Sequence, residues 1–203
     1  MSESAPRPLD LSGLRAWQRT ALEDYFKRGN TDYLAVATPG AGKTTFALRI
    51  ARELLSRRMV DRLVVVAPTE HLTKQWAAAG AAMGIAIDSN YTANRTSSKD
   101  FQGISLTYAG VAAAPGRLRG RVEAYRTFVI LDEIHHAGDA LSWGDAVAEA
   151  FAPAERRLGL TGTPFRSDIN PIPFVNYTPD ERGVPRSQAD HAYNYADALR
   201  DGV

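Results

Sequence analysis

The 203-residue sequence predicts an α/β fold, with a parallel central sheet flanked by helices. Three observations carry that expectation. Short, wholly apolar runs alternate with amphipathic stretches of helical length; one such run enters a glycine-rich turn that opens a helix; another ends directly in two acids. Strands covered on both faces read as continuous apolar runs, because neither face meets water.

Residues 1–12 are polar and contain two prolines, and read as a flexible lead-in. Leu14, Trp17, Ala21, Leu22, Tyr25 and Phe26 recur at helical spacing, and Gly29-Asn30 supplies a stop. Residues 33–37 read as a buried strand, followed by the glycine-rich turn and a helix over about 44–58. A strand at 63–67 and a helix at 70–82 follow, then a short strand at 85–87 and a polar loop at 90–100. Residues 104–107 and 127–131 are strands, 140–151 a helix and 157–160 a further strand. Beyond Asn170 the chain is interrupted by Pro171, Pro173, Pro179 and Pro185, so 169–203 reads as an irregular tail with a short helical pattern at 195–200. Residues 13–168 are thus expected to form one domain.

Composition narrows the function. Lys plus Arg number 24 against 23 Asp plus Glu, which excludes nucleic-acid binding through bulk charge but leaves room for a local surface. Cysteine is absent, which excludes disulfides, a cysteine nucleophile and thiolate zinc sites. No apolar run approaches the ~20 residues of a membrane span, and a cytoplasmic location without membrane partners is expected.

Ala37-Thr38-Pro39-Gly40-Ala41-Gly42-Lys43-Thr44 lies between a strand and a helix, the setting of a phosphate-binding loop. Gly40 and Gly42 let backbone N–H groups turn inward around phosphate oxygens. The helix start, with Thr44 and Thr45, adds unpaired N–H donors and a favourable dipole. Lys43 is expected on the terminal phosphates and the Thr44 hydroxyl on Mg²⁺.

The apolar strand 127–131 runs into Asp132-Glu133-Ile134-His135-His136. A rigid strand end can hold one carboxylate near the phosphates while its neighbour polarises water. Asp132 is the expected Mg²⁺ holder and Glu133 the general base; with Lys43 they form the expected catalytic set. His135 and His136 do not read as a zinc pair, since adjacent strand residues face apart and no further ligand lies nearby.

These segments resemble the motifs of superfamily 2 helicases. Residues 37–44 resemble motif I in its usual alanine-initiated form, and Asp132-Glu133-Ile134-His135 resembles the DExH box of motif II. Thr161-Gly162-Thr163-Pro164 is similar to motif III, and Ala67-Pro68-Thr69 with Leu72 and Gln75-Trp76 to motif Ia. Leu14-Arg15-Ala16-Trp17-Gln18 resembles the upstream adenine-recognition motif. Five motifs stand in family order over residues 14–166, in forms like those of type III restriction motor subunits and xeroderma-type DNA repair helicases.

The resemblance implies a RecA-like, P-loop domain that binds ATP and Mg²⁺ and grips one nucleic-acid strand, DNA being favoured over RNA. It places Arg15 and Gln18 on the adenine, and Thr38, Pro39, Gly40, Ala41, Gly42, Lys43, Thr44 and Thr45 around the phosphates. His135, Thr161 and Thr163 become coupling residues, and Thr69, Lys74 and Thr107 strand contacts. Simpler roles stand beside these: Trp17 as core, Gln18 as helix surface, Thr107 as a helix cap, and Gly162-Thr163-Pro164 as turn chemistry. Arg117, Arg119, Arg121 and Arg126 read as a solvated basic face; Tyr193 and Tyr195, with His191, alternate as in a strand and read as packing under the tail.

Motors of this superfamily close two RecA-like domains on ATP, and nothing after Thr163 resembles the motifs of a second. The expectation is the N-terminal half of an ATP-dependent helicase or translocase. Without a second-domain arginine finger, worth about 10³–10⁵ in rate, such a half hydrolyses ATP very slowly. The competing readings are an ATP-gated binding module with little turnover and, more distantly, a small-molecule kinase.

Overall fold

In the computed structural model, which describes residues 7–92, 97–138, 141–162 and 171–201, nine strands and seven α-helices are found among the described residues. They run α1 (Ala16–Arg28), β1 (Asp32–Ala37), α2 (Lys43–Ser56), β2 (Arg62–Ala67), α3 (Glu70–Ala82), β3 (Ile87–Asp88) and β4 (Gly103–Thr107). Then come α4 (Tyr108–Ala113), α5 (Pro115–Glu123), β5 (Thr127–Leu131), a 3-10 turn (Ile134–Gly138), α6 (Leu141–Phe151) and β6 (Arg156–Thr161). A small hairpin of β7 (Tyr177–Pro179) and β8 (Pro185–Ser187) precedes β9 (His191–Tyr193) and α7 (Tyr195–Arg200).

The main sheet has seven strands in the order β3-β4-β2-β5-β6-β1-β9, all paired parallel. Alternation along each strand divides the core in two. Tyr33, Ala35, Leu63, Val65, Phe128, Ile130, Leu158 and Leu160 face one cluster with residues of α1, α2 and α3. Leu34, Val36, Val64, Val66, Val129 and Leu131 face the other with residues of α4, α5 and α6. Each fully buried Val, Leu, Ile or Phe contributes about 1.5–3 kcal/mol, so both faces must be covered.

Strand order places the site. β6 lies between β5 and β1, so the carboxyl ends of three adjacent strands carry the glycine-rich loop, the TGTP segment and the acidic pair. In an open parallel sheet ligands bind at those ends.

Two expectations need correction. The lead-in is docked from Arg7 onward: Leu9 and Leu11 pack against the core, and the buried Arg49 donates to the carbonyls of Asp10 and Ser12 at 3.0 and 2.9 Å. The buried Glu53 accepts from the Asp10 N–H at 3.3 Å. Its polarity hid these partners, which belong to α2. The tail is not wholly irregular either. β9 pairs with β1 over Ala35–His191, Val36–Ala192 and Ala37–Tyr193, in keeping with the strand-like alternation of His191 and Tyr193, whereas Tyr195 opens α7 and is exposed rather than packed. Elsewhere, α2 starts one residue earlier than expected and β3 lies two residues later. Among the described residues no helix is long and apolar enough to cross a membrane.

Candidate functional site

The glycine-rich loop is shaped from α1. Three successive loop carbonyls are each held by a side chain of one helical turn: Arg15 Nη1 donates to Gly40 O at 2.8 Å, Trp17 Nε1 to Ala41 O at 3.0 Å, and Gln18 Nε2 to Gly42 O at 2.9 Å. Drawing the C=O groups toward α1 turns the opposite side of the loop into an N–H face, the arrangement an anion nest needs. Gly40 and Gly42 stand at φ 79° and 88°, where side chains are strained, and a Cβ on Gly42 would lie 2.6 Å from Gln18 Nε2. Lys43, Thr44 and Thr45 open the 14-residue α2, whose first N–H groups have no intrahelical acceptor.

Not every loop amide serves the nest. Ala41 N–H donates to Thr38 O, closing a turn, and Thr38 N–H donates to Tyr193 O, both at 3.1 Å. Thr38 is half-buried and Pro39 exposed at the mouth, the latter against Gly162. The α1 side chains are likewise committed. Gln18 is 2% exposed and its Oε1 caps α1 by accepting from Arg15 N–H at 2.8 Å. It is therefore neither a surface residue nor a free amide. Trp17, read as core, is core and loop clamp at once, and its indole stacks on Tyr193 (5.2 Å) and His191 (5.9 Å).

Across the site, Lys43 Nζ donates to Ala37 O at 3.0 Å and stands 3.3 Å from Glu133 Oε1. Glu133 Oε2 accepts from Gly162 N–H at 3.2 Å. His135 Nδ1 is 3.1 Å from Thr161 Oγ1 and 3.6 Å from Glu133 Oε2. The glycine-rich loop, the acidic pair and the TGTP segment thus meet around one carboxylate. Glu133 adopts φ 46°, a left-handed conformation that costs a non-glycine residue about 1–3 kcal/mol and is concentrated at functional sites. Thr163, expected to share the coupling, lies outside the described residues.

Asp132 is buried at 8% exposure, and burial raises its carboxyl above the ordinary carboxylate range. The Trp76 donation and the Lys43 charge oppose that shift, and Glu133 adds to it. Trp76 Nε1 donates to Asp132 Oδ2 at 2.8 Å, and Tyr108 OH donates to the Asp132 carbonyl at 2.9 Å. Charges of opposite sign thus converge on one rim, Lys43 and helix N–H groups on one side and two acids on the other. Asp132 with the Thr44 hydroxyl offers hard oxygen ligands of the kind Mg²⁺ takes alongside phosphate. The donor set fits a magnesium–nucleotide.

The expected strand contacts divide. Thr69 is exposed and caps α3 by accepting from Leu72 N–H at 3.3 Å; Thr107 caps α4 by accepting from Gly110 N–H at 3.0 Å. Lys74 is exposed and, with Glu70, Thr73, Ser105, Thr107 and Gly110, lines a cleft of about 510 Å³ between α3 and α4. The basic residues of α5 and of the turn after it are partly paired: Arg119 meets Glu123 at 2.8 Å, and Arg126 meets Asp61 at 2.8 Å.

The family described as type III restriction enzyme, res subunit, matches residues 11–166. The chain belongs to that family. Its fold is that of the N-terminal RecA-like domain of superfamily 2 helicases. The uncharacterized protein Rv2917 of Mycobacterium tuberculosis is 58% identical to this RecA-like domain over 191 residues, 94% of the chain and 32% of the relative. ML1624 of Mycobacterium leprae is 54% identical over 195 residues, 96% of the chain and 33% of the relative. The chain spans about a third of the length of these curated relatives.

Among solved structures, the domain is similar to a nuclease-deletion mutant of the type ISP restriction-modification enzyme LlaGI in complex with a DNA substrate mimic (TM-score 0.65, 16% identity, 94% of this chain and 21% of that one). It is also similar to the Pyrococcus furiosus Hef helicase domain (TM-score 0.60, 24% identity, 78% and 35%). The Sulfolobus solfataricus SWI2/SNF2 ATPase core in complex with dsDNA gives TM-score 0.59 at 20% identity, over 75% and 32%. What these three share with the RecA-like domain is the fold.

Trp17, Trp76, Tyr108 and Tyr193 are the residues that sequence reasoning undervalued. Trp17 and Trp76 stand inside motif-like segments, which was a usable signal; a buried aromatic otherwise reads as core. For Tyr108 and Tyr193 only the fold reveals the partner.

Proposed function

We propose that this domain is the ATP-binding half of an ATP-dependent DNA helicase or translocase. The observation that carries the proposal is the meeting of Lys43, Glu133 and Gly162 within 3.3 Å contacts at the carboxyl ends of β1, β5 and β6. An ammonium from the phosphate loop, a carboxylate and a backbone donor from the intervening strand converge there, as coupled nucleotide hydrolysis requires.

In this reading the N–H face of the loop and the start of α2 receive the phosphates, and Lys43 neutralises charge on the terminal ones. Arg15 and Gln18 border the adenine, their amide and guanidinium contacts to the loop making base recognition and loop shape one structure. Asp132 and Thr44 would hold Mg²⁺, whose contribution when bound is charge neutralisation on the phosphate oxygens. Glu133 orients a water and accepts its proton. His135, Thr161 and Thr163 relay the state of that carboxylate toward the strand-binding side. Lys74 and Thr107 face the sugar–phosphate backbone from the cleft and Thr69 from the start of α3, a contact type that positions without reading sequence. A second RecA-like domain would complete the ATP site, and turnover by the RecA-like domain on its own is expected to be very slow.

The LlaGI and SWI2/SNF2 structures contain DNA or a DNA mimic, which supports DNA as the partner. The test is steady-state ATP hydrolysis by the full-length protein with single-stranded and duplex DNA and RNA. Stimulation by DNA above RNA, lost in Lys43→Ala, is the expected result. Hydrolysis indifferent to every nucleic acid would overturn the motor reading.

A further inference from the structure

The two helices that wall the cleft, α3 and α4, each send one hydrogen bond to Asp132 from a buried residue beside the cleft lining. Trp76, on α3 and 2% exposed, donates from Nε1 to Asp132 Oδ2 at 2.8 Å. Tyr108 opens α4, is fully buried, and donates from its hydroxyl to the Asp132 carbonyl at 2.9 Å. The cleft-lining residues are their close neighbours in sequence: Glu70, Thr73 and Lys74 precede Trp76 by six, three and two positions, while Thr107 and Gly110 flank Tyr108. Ser105 Oγ adds a 3.0 Å donation to Thr73 O and ties the floor of the cleft to α3.

Residue i and residue i+3 lie on one helix face, so a ligand contacting Thr73 pushes on the same surface that carries Trp76. Both indole and phenol are packed, which leaves rigid transmission rather than side-chain rotation as the response to such a push. Asp132 itself follows directly on β5 and its N–H donates to Val66 O at 2.8 Å, so its main chain is fixed on the sheet side while α3 and α4 hold it from outside, beside the Glu133 backbone N–H and the Lys43 charge.

We propose that Trp76 and Tyr108 are positioning residues that couple strand occupancy of the cleft to magnesium–nucleotide binding at Asp132. The inference rests on the functional reading above and adds a route within this single domain, separate from the His135–Thr161 contact. Coupling between two sites is reciprocal, so the strand must tighten nucleotide binding by the factor by which nucleotide tightens strand binding.

The experiment measures two dissociation constants on the full chain: that of a fluorescent, non-hydrolysable ATP analogue with Mg²⁺, and that of a labelled oligothymidine, each with and without the other. In wild type we expect a coupling factor of about fivefold or more, equal in both directions. Trp76→Phe keeps the ring but removes the N–H donor; Tyr108→Phe removes only the hydroxyl. The factor is expected to fall toward one in these variants while each ligand alone still binds. A merely structural role would weaken the separate affinities and leave their ratio unchanged. Loss of the factor in either variant supports the link through that helix, and either variant suffices if the other does not fold. A wild-type factor retained in both, or absent from wild type although both ligands bind, overturns the coupling and leaves the motor reading standing. Failure of oligothymidine to bind wild type at all removes the strand-binding reading itself, and the coupling with it.

Discussion

The two sides of the candidate site are built differently. On the loop side, Arg15, Trp17 and Gln18 hold three consecutive carbonyls, and Trp17 is itself stacked on Tyr193 and His191. These are bonds from side chain to main chain, and they fix one backbone shape. On the acidic side, Lys43, Glu133, His135 and Thr161 meet mainly through side chains around a residue with φ 46°. Such contacts exchange partners at small cost, whereas a carbonyl locked by an indole does not. On the proposed function, a receiving surface must exist before its ligand arrives, while a hydrolytic and relaying surface must change afterwards.

Substitutions can break that contrast, beginning with the largest effect. Glu133→Gln retains shape and removes the proposed proton acceptor, so single-turnover ATP hydrolysis should fall about 10²–10⁴-fold while nucleotide affinity is kept. Unchanged turnover would move the base elsewhere and favour a gated binding module.

On the loop side the loss should appear in stability and affinity instead. Trp17→Phe strips the donor from Ala41 O, and leaving a buried acceptor unpaired costs about 1–3 kcal/mol. For a domain of this size that lowers the melting temperature by about 2–4 °C per kcal/mol, and nucleotide affinity should weaken in parallel. A melt that drops with affinity intact would show the clamp to be core only.

Asp132 sharpens the comparison through pH. Burial holds its carboxyl above the unfolded value of 3.8, so the native state binds more protons between the two values and loses stability as pH rises through the raised one. Asp132→Asn should therefore melt higher than wild type at pH 7, the difference shrinking as pH falls, even as hydrolysis disappears. Equal melts at pH 7 would mean that the Trp76 and Lys43 contacts offset its burial.

The smallest effect belongs to His191, whose imidazole is held below the ordinary 6.5 by burial, with the Asp24 charge opposing. The unfolded chain then takes up a proton that the folded one resists, so stability is lost as pH falls below 6.5. His191→Gln should flatten that part of the melting profile.

Much of this site was legible in the sequence because its parts are local. A strand, two glycines, a lysine and a threonine fall within one segment, and the acids follow an apolar run without interruption. The parallel sheet follows from the same alternation. Partnership across the sheet was not legible. That Gly162 N–H meets Glu133 depends on β6 lying between β5 and β1, a matter of strand order. The simpler reading of Gln18 as helix surface fails because its amide accepts from its own helix cap and donates to the loop 24 residues on, partners that spacing along the chain does not show. The capping roles of Thr69 and Thr107, by contrast, were open to sequence reasoning, since hydroxyls just before helices serve that purpose wherever they occur.

The placement of β9 has a practical consequence for anyone trimming this polypeptide. Ending it soon after the TGTP segment would strip β1 of its outer neighbour, expose unpaired main-chain groups beside Thr38 and bare one face of the Trp17 indole. Soluble material suited to crystallisation or ligand titration should extend beyond Tyr193, even though the recognisable motif spelling stops some thirty residues sooner.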